Sequence, residues 1–158
     1  MTTDRSSLSN PGRTDEGGLI RDQNYNWFIG FIRNIGIAIG VDVELWALKD
    51  GLTICRELNL SAVEIEIDAK VVLGWVSDTY NCNLHHAALI LDCKTLISQI
   101  PQVRMNHCFR EASKCVDALA RRGSELDQDF IVFDSPTMDI VMLLYYDKLG
   151  VYYERLCP

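Results

Sequence analysis

The sequence predicts an α/β protein in which helices cover the faces of a mixed β-sheet. Two segments rich in apolar residues and separated by a short turn come early in the chain, which predicts an antiparallel hairpin. Strand-like segments then alternate with segments whose apolar residues recur every three to four positions, as is typical of β–α units. This order favours an antiparallel beginning to the sheet and a mixed sheet as a whole.

The composition indicates a single soluble domain with its own core. The chain has 158 residues, of which 48% are apolar and 23% are charged. Its longest apolar run, Ile140–Tyr146, is too short to cross a bilayer, so no membrane association is expected. The N-terminal segment lacks an apolar stretch, which predicts an intracellular protein and leaves nucleus and cytoplasm open.

Six cysteines occur without a CxxC pair, which predicts buried thiols in a reducing compartment. A zinc site would use Cys82, His85 or His86, and Cys93. Their spacing matches no standard zinc pattern, so the thiol interpretation is preferred.

The negative charge is concentrated in the last part of the chain. Residues 1–123 hold 13 basic and 15 acidic residues, a net charge of −2, whereas residues 124–158 hold 2 and 7, a net charge of −5. The total of −7 therefore does not exclude a nucleic-acid partner, although it argues against strong nonspecific binding.

The first elements form the predicted hairpin. Residues 1–17 are polar and turn-rich, with a first strand presumed around Asp4. Gly18–Arg21 is a short strand candidate, Asp22–Asn26 a turn, and Trp27–Ile35 a second strand rich in aromatic and β-branched residues.

The segment Val41–Leu58 predicts the central helix. Five apolar residues recur on one helical face: Val41, Leu45, Leu48, Leu52 and Cys55. Glu44 lies on the same stripe, where a carboxylate is costly to bury unless it is paired or binds a cation. The sequence therefore predicts that Glu44 faces the core beside a partner or a bound cation.

The remaining elements follow from their periodicities. Ala62–Ile67 alternates as a strand, with Val63, Ile65 and Ile67 on one face. Helices are predicted over residues 69–76, 86–97, 111–122 and 137–148, and a strand over residues 103–109. Residues 130–133 form a short apolar segment within an acidic, aromatic extension that spans 124–158.

Four acids lie in separate elements, at positions that a solvent-exposed side chain does not readily explain. They are Asp4 in the first strand, Glu44 on the helix stripe, Asp68 at a strand end and Asp117 within an apolar run. Each alone is more often structural or solvated. Together they could meet at one edge of a mixed sheet, and several ionised carboxylates share a site only around cations.

Four segments carry a resemblance to a known family: MTTDRSSLSNPGRTDEGGLIRD, VELWALKDGL, VEIEIDAKVVL and HCFREASKCVDALARRG. In this order they resemble the plant-type, reverse-transcriptase-associated branch of the ribonuclease H family. The resemblance covers residues 2–123. It implies a ribonuclease H-like domain over 1–123 with a five-stranded mixed sheet, whose first three strands are antiparallel and whose first strand is shortened, and a helical C-terminal extension over 124–158.

The resemblance also implies a metal-dependent endonuclease that hydrolyses the RNA strand of RNA–DNA hybrids as a monomer. Two Mg²⁺ ions, or Mn²⁺, would activate a water molecule and stabilise the leaving oxygen. Recognition would use 2′-hydroxyl contacts in the minor groove. The residues implied are Asp4, Glu44, Asp68 and Asp117 as catalytic metal ligands, His107 in product release or proton transfer, and Asn10 in substrate binding.

One alternative remains open from the sequence. Arg5 stands where the family has glycine after the first acid, and the first strand is short. Either feature would suit a catalytically impaired ribonuclease H-like, retroelement-derived module that binds nucleic acid, or a protein partner through residues 124–158.

Overall fold

The protein was analysed as a computed structural model that describes residues 2–7, 13–37, 40–77, 84–107, 114–123 and 128–148. Its six strands are β1 (Thr2–Ser7), β2 (Arg13–Arg21), β3 (Trp27–Ile37), β4 (Ala62–Ile67), β5 (Gln102–His107) and β6 (Phe130–Phe133). Its five α-helices are α1 (Gly40–Glu57), α2 (Lys70–Val76), α3 (Ala87–Gln99), α4 (Lys114–Gly123) and α5 (Met138–Lys148), and a 3₁₀ helix covers Leu84–His86.

The strands form one mixed sheet in the order β5-β4-β1-β2-β3-β6. β1, β2 and β3 are successive antiparallel neighbours, while β4 runs parallel to β1 and β5 parallel to β4. The predicted mixed sheet with three antiparallel strands at its start is confirmed for the described residues.

The predicted strand number of five is wrong, because residues 130–133 add a sixth strand. β6 pairs antiparallel with β3, with Gly30 opposite Phe133 and Arg33 opposite Phe130. The open edge of β3 offers unpaired backbone groups, and a short apolar segment from the C-terminal extension pairs with them. The extension is therefore joined to the sheet rather than merely packed beside it.

The expectation of a turn-rich segment before Gly18 is also wrong, because β2 already begins at Arg13. Asp15, Glu16 and Gly17 prefer turns locally, but each has a ladder partner on β1 and on β3. Pairing on both sides outweighs local propensity in a central strand. β2 thus becomes a nine-residue strand in the middle of the sheet.

Two hydrophobic cores cover the two faces of the sheet. The larger joins α1, α2 and α3 to β3, β4 and β5, with Phe31, Leu48 and Ile65 fully buried. The smaller joins α4 and α5 to the other face through Leu19, Leu119 and other apolar residues. The helices therefore form layers above and below the strands, as predicted.

Candidate functional site

Glu44 is buried on α1, as its position on the apolar stripe predicts. Leu45, Leu48, Leu52 and Cys55 of the same stripe are fully buried, and Glu44 is only 3% exposed. α1 packs against β1, β2 and β3, so this carboxylate lies between the helix and the sheet. Its negative charge also helps to raise the pKa of the nearby Glu16.

Asp68 lies directly after β4, at the carboxyl end of a parallel strand. It is half-buried, and its backbone carbonyl accepts a hydrogen bond from His107 Nε2 at 3.1 Å. The parallel register places His107 beside Ile67, the residue before Asp68. The structure thus brings two of the predicted site residues together and holds the Asp68 turn against the end of β5.

For Asp4 and Asp117 the structure describes the position of the backbone but not that of the side chain. Asp4 lies in β1 opposite Gly17, and β1 pairs with β4 through Thr2 and Glu66. Continuing that parallel register by two residues brings position 4 level with position 68. Asp117 lies on α4, which packs against β1 and β2. The side chains of both residues, and all of Asn10, lie outside the described part of the structure.

The four acids therefore lie on elements that all border β1. β4 is its parallel neighbour, whereas α1 and α4 cover its two faces. Glu44, Asp68 and Asp117 therefore belong to three elements that surround β1, the strand that carries Asp4.

A second group of buried charges was missed by the sequence analysis. Glu16 is fully buried, and Asp50 is 7% exposed on α1. Arg33 on β3 bonds both oxygens of Asp50, through Nε and through Nη2 at 2.9 Å, and its Nε lies 3.9 Å from Glu16 Oε1. The available signal was a stripe of Val43, Ala47 and Ile54, on which Asp50 occupies a core position.

Burial raises the pKa of Glu16 well above its ordinary value, and the neighbouring Asp50 raises it further. Among the described residues neither Glu16 oxygen has a hydrogen-bond partner, although Asp50 lies close enough to act on the pKa of Glu16. Two ionised carboxylates cannot bond each other, but a protonated Glu16 can donate to Asp50. Burial therefore favours the protonated form of Glu16, while Asp50 pairs with Arg33.

Arg33 also connects this group to the sixth strand. Its guanidinium lies 4.7 Å from the ring centre of Phe130 on β6 and 5.6 Å from that of Trp46 on α1. Contacts of this kind stabilise a cation between aromatic rings. The contacts of Arg33 therefore link β3 to both α1 and β6.

The zinc alternative built on Cys93 is wrong for that residue. Cys93 is fully buried, lies 3.7 Å from the Leu45 carbonyl, and burial raises its pKa to about 12. Cys55 and Cys115 are likewise buried thiols, as predicted. Cys82 lies outside the described residues.

In the described ranges no helix combines the length and apolarity that a membrane span requires.

The comparison with known families decides what kind of domain carries this arrangement. The sequence profile described as Reverse transcriptase-like matches residues 3–123. The chain belongs to this family. A "Putative ribonuclease H protein" of Arabidopsis thaliana is 32% identical over 150 residues, which are 95% of this chain and 24% of that protein. The chain is thus a plant-type ribonuclease H-like domain, and it spans about a quarter of the length of this curated relative.

Solved structures support the fold of this ribonuclease H-like domain. The RNase H1 of the halophilic archaeon Halobacterium salinarum superposes with a TM-score of 0.72 at 19% identity, covering 78% of this chain and 95% of its own. The N-terminal RNase H domain of a Mycobacterium tuberculosis protein gives 0.71 at 21% identity, with 78% and 90% covered. LC11-RNase H1, solved in complex with an RNA/DNA hybrid, gives 0.71 at 18% identity, with 78% and 94% covered.

Proposed function

We propose that this domain is an endonuclease that hydrolyses the RNA strand of RNA–DNA hybrids with the help of two divalent cations, Mg²⁺ or Mn²⁺. The observation that carries the proposal is the buried Glu44 on a helix that packs against β1, with Asp68 at the end of the strand beside β1. The similarity to a named plant ribonuclease H protein, and to a neighbour crystallised with an RNA/DNA hybrid, points to the same substrate.

The donor set fits hard divalent cations. Carboxylate oxygens are the ligands that Mg²⁺ and Mn²⁺ prefer. Glu44 adds a negative charge to a region in which burial already raises the pKa of Glu16 and in which Asp50 is paired with Arg33. Bound cations would offset the remaining carboxylate repulsion, activate a water molecule and stabilise the leaving 3′ oxygen.

The chain's own residues would have separate roles in this proposal. Asp4, Glu44, Asp68 and Asp117 would hold the cations. His107 donates to the Asp68 carbonyl, so it would keep the Asp68 turn in position, and we also assign it the role of assisting proton transfer or product release. Asn10 would contact the 2′-hydroxyl groups that distinguish RNA from DNA.

A cleavage assay on a labelled RNA–DNA hybrid tests the proposal. We expect Mg²⁺-dependent cutting of the RNA strand and no cutting of the matching DNA duplex. Asp68→Asn and Glu44→Gln should each lower the rate by about 100-fold or more, since each removes a charged ligand from the reacting centre. Glu57→Gln is the matched control, because Glu57 lies on the same helix with its side chain 66% exposed.

Thermal unfolding of each variant separates lost chemistry from lost folding. A folded wild-type chain without cleavage activity would refute the nuclease proposal. Equal activity of wild type, Glu44→Gln and Asp68→Asn would refute the assigned site while leaving a nuclease in place.

One observation favours the alternative of a binding module. On α5, Ile140 is fully buried against α4, while Met138, Val141, Met142 and Tyr145 are between 41% and 85% exposed and recur at helical spacing. Such a stripe is suited to a protein partner. A Met142→Glu, Tyr145→Glu variant that loses a partner but keeps the wild-type thermal stability would support binding through residues 124–158. Unchanged partner capture would remove this support.

A further inference from the structure

We propose that Asp42, His85 and His86 form a second metal site, which takes a transition-metal ion of the Zn²⁺ class. Asp42 lies in the first turn of α1, and the two histidines close the 3₁₀ helix that leads into α3. Their ligand atoms all lie within 4.8 Å of one another. This site does not depend on the proposed nuclease activity.

The geometry is that of side chains which converge on one point. His86 Nδ1 lies 2.8 Å from Asp42 Oδ1. The rings of His85 and His86 are 5.0 Å apart and nearly perpendicular, at 81°. Neighbouring residues of a helix ordinarily point in different directions, so two adjacent imidazoles that each bring a nitrogen within 4.8 Å of one carboxylate oxygen are not a consequence of helical geometry alone.

The distances need only small side-chain rotations to accept an ion. Zn²⁺ binds imidazole nitrogen and carboxylate oxygen at about 2.0–2.2 Å, which separates tetrahedral ligands by roughly 3.3 Å. The Asp42–His86 contact would widen by about half an ångström and His85 would move inward. His86 is 6% exposed whereas His85 is exposed, so the site is anchored on one side and open to water on the other. That leaves a fourth position for a solvent ligand.

The donor set differs from that proposed around Glu44. Two imidazoles with one carboxylate favour Zn²⁺, Co²⁺ or Cu²⁺ over Mg²⁺, which prefers oxygen alone. Asp42 and Glu44 are two residues apart on α1, a rotation of about 200° around the helix axis. The two carboxylates therefore point to different sides of the helix, and the two sites would be filled independently.

Isothermal titration of the chelator-treated, desalted full chain with Zn²⁺ tests the proposal. We expect one Zn²⁺ per chain and unchanged affinity when Mg²⁺ is present in excess. His85→Gln and Asp42→Asn should weaken binding about tenfold or more. The matched controls are His107→Gln, which removes the third histidine, and Asp92→Asn, which removes an exposed acid. Both controls should leave Zn²⁺ affinity unchanged.

Two spectra identify the ligands. The Trp75 ring lies 5.2 Å from the His86 ring, so Cu²⁺ should quench a part of the tryptophan fluorescence that disappears in Trp75→Phe. Co²⁺ should give weak visible bands without the strong near-ultraviolet absorption of thiolate ligation. Thiolate absorption, displacement by Mg²⁺, or full affinity in folded His85→Gln and Asp42→Asn proteins would overturn the site. In that case the Asp42–His86 contact only joins α1 to α3.

Discussion

Replacing Arg33 by methionine removes the cation of the buried charge group and keeps a long side chain in its place. Arg33 donates to both oxygens of Asp50, whose side chain is 9% exposed. Removing one partner of a buried pair costs about 3–5 kcal/mol, because the other charge stays buried without compensation. Since the Arg33 side chain is 28% exposed, solvent screening lowers our expectation to about 2–4 kcal/mol.

Urea unfolding at neutral pH, followed by circular dichroism, measures this loss. A loss of this size would lower the melting temperature by about 5–15 °C in a protein of this length. The control is Lys49→Met. Lys49 pairs with Asp92 at 2.7 Å and has the same 28% exposure as Arg33, but its partner is 53% exposed. Its replacement should cost at most about 1 kcal/mol, because the partner keeps its hydration.

A double-mutant cycle with Asp50→Asn isolates the pair. The coupling energy should reach about 1.5–3 kcal/mol, so the double variant should be more stable than the sum of the single effects suggests. Additive losses, or a cost for Arg33→Met no larger than that for Lys49→Met, would refute the reasoning that partner burial decides the energy.

Further predictions concern single buried groups. Because the folded-state pKa of Glu16 is raised, the folded chain binds a proton that the unfolded chain releases, so wild-type stability falls as pH rises above the ordinary glutamate value. Glu16→Gln should remove that decline and raise the free energy of unfolding by about 1 kcal/mol or more at pH 8, and by less at pH 4. Urea titrations at the two pH values measure this difference, and an equal stabilisation at both would contradict the prediction. Burial raises the pKa of Cys55 to about 11 and that of Cys93 to about 12, so both thiols should resist a disulfide reagent at pH 8 until urea unfolds the chain, and fast labelling of either in the native state would contradict this. Gly18→Ala should cost about 1–3 kcal/mol by thermal unfolding, since its new methyl group would lie 2.0 Å from Phe31 Cζ, and a neutral effect would contradict this packing.

The elements with a strong periodicity could be predicted from the sequence almost to their ends. α1 was predicted over 41–58 and covers Gly40–Glu57, and β4 was predicted with the bounds that it has. The turn at Asp22 was also predictable, since its carboxylate accepts hydrogen bonds from the backbone of Asn24 and Asn26 at 2.8 and 2.9 Å. These features depend on residues that lie close together in the chain.

Elements whose partners are distant in the chain could not be predicted in this way. The first half of β2 contains turn-forming residues, and it is a strand because β1 and β3 pair with it on both sides. β6 is four residues long and exists because the edge of β3, about 100 positions earlier, offers a ladder. Local residue preferences carry no information about pairing between strands that are distant in the chain.

The sequence by itself determined the helix and strand periods, the burial of Glu44 on an apolar stripe and the family to which the chain belongs. Only the tertiary structure decided the sixth strand, the pairing of Arg33 with Asp50 beside a buried Glu16 whose pKa is raised, and the convergence of Asp42 with two histidines. The reason is physical. Periodicity records which face of one element avoids water, whereas a charge or a ligand atom acquires its role from a partner that the folded chain alone brings within a few ångströms.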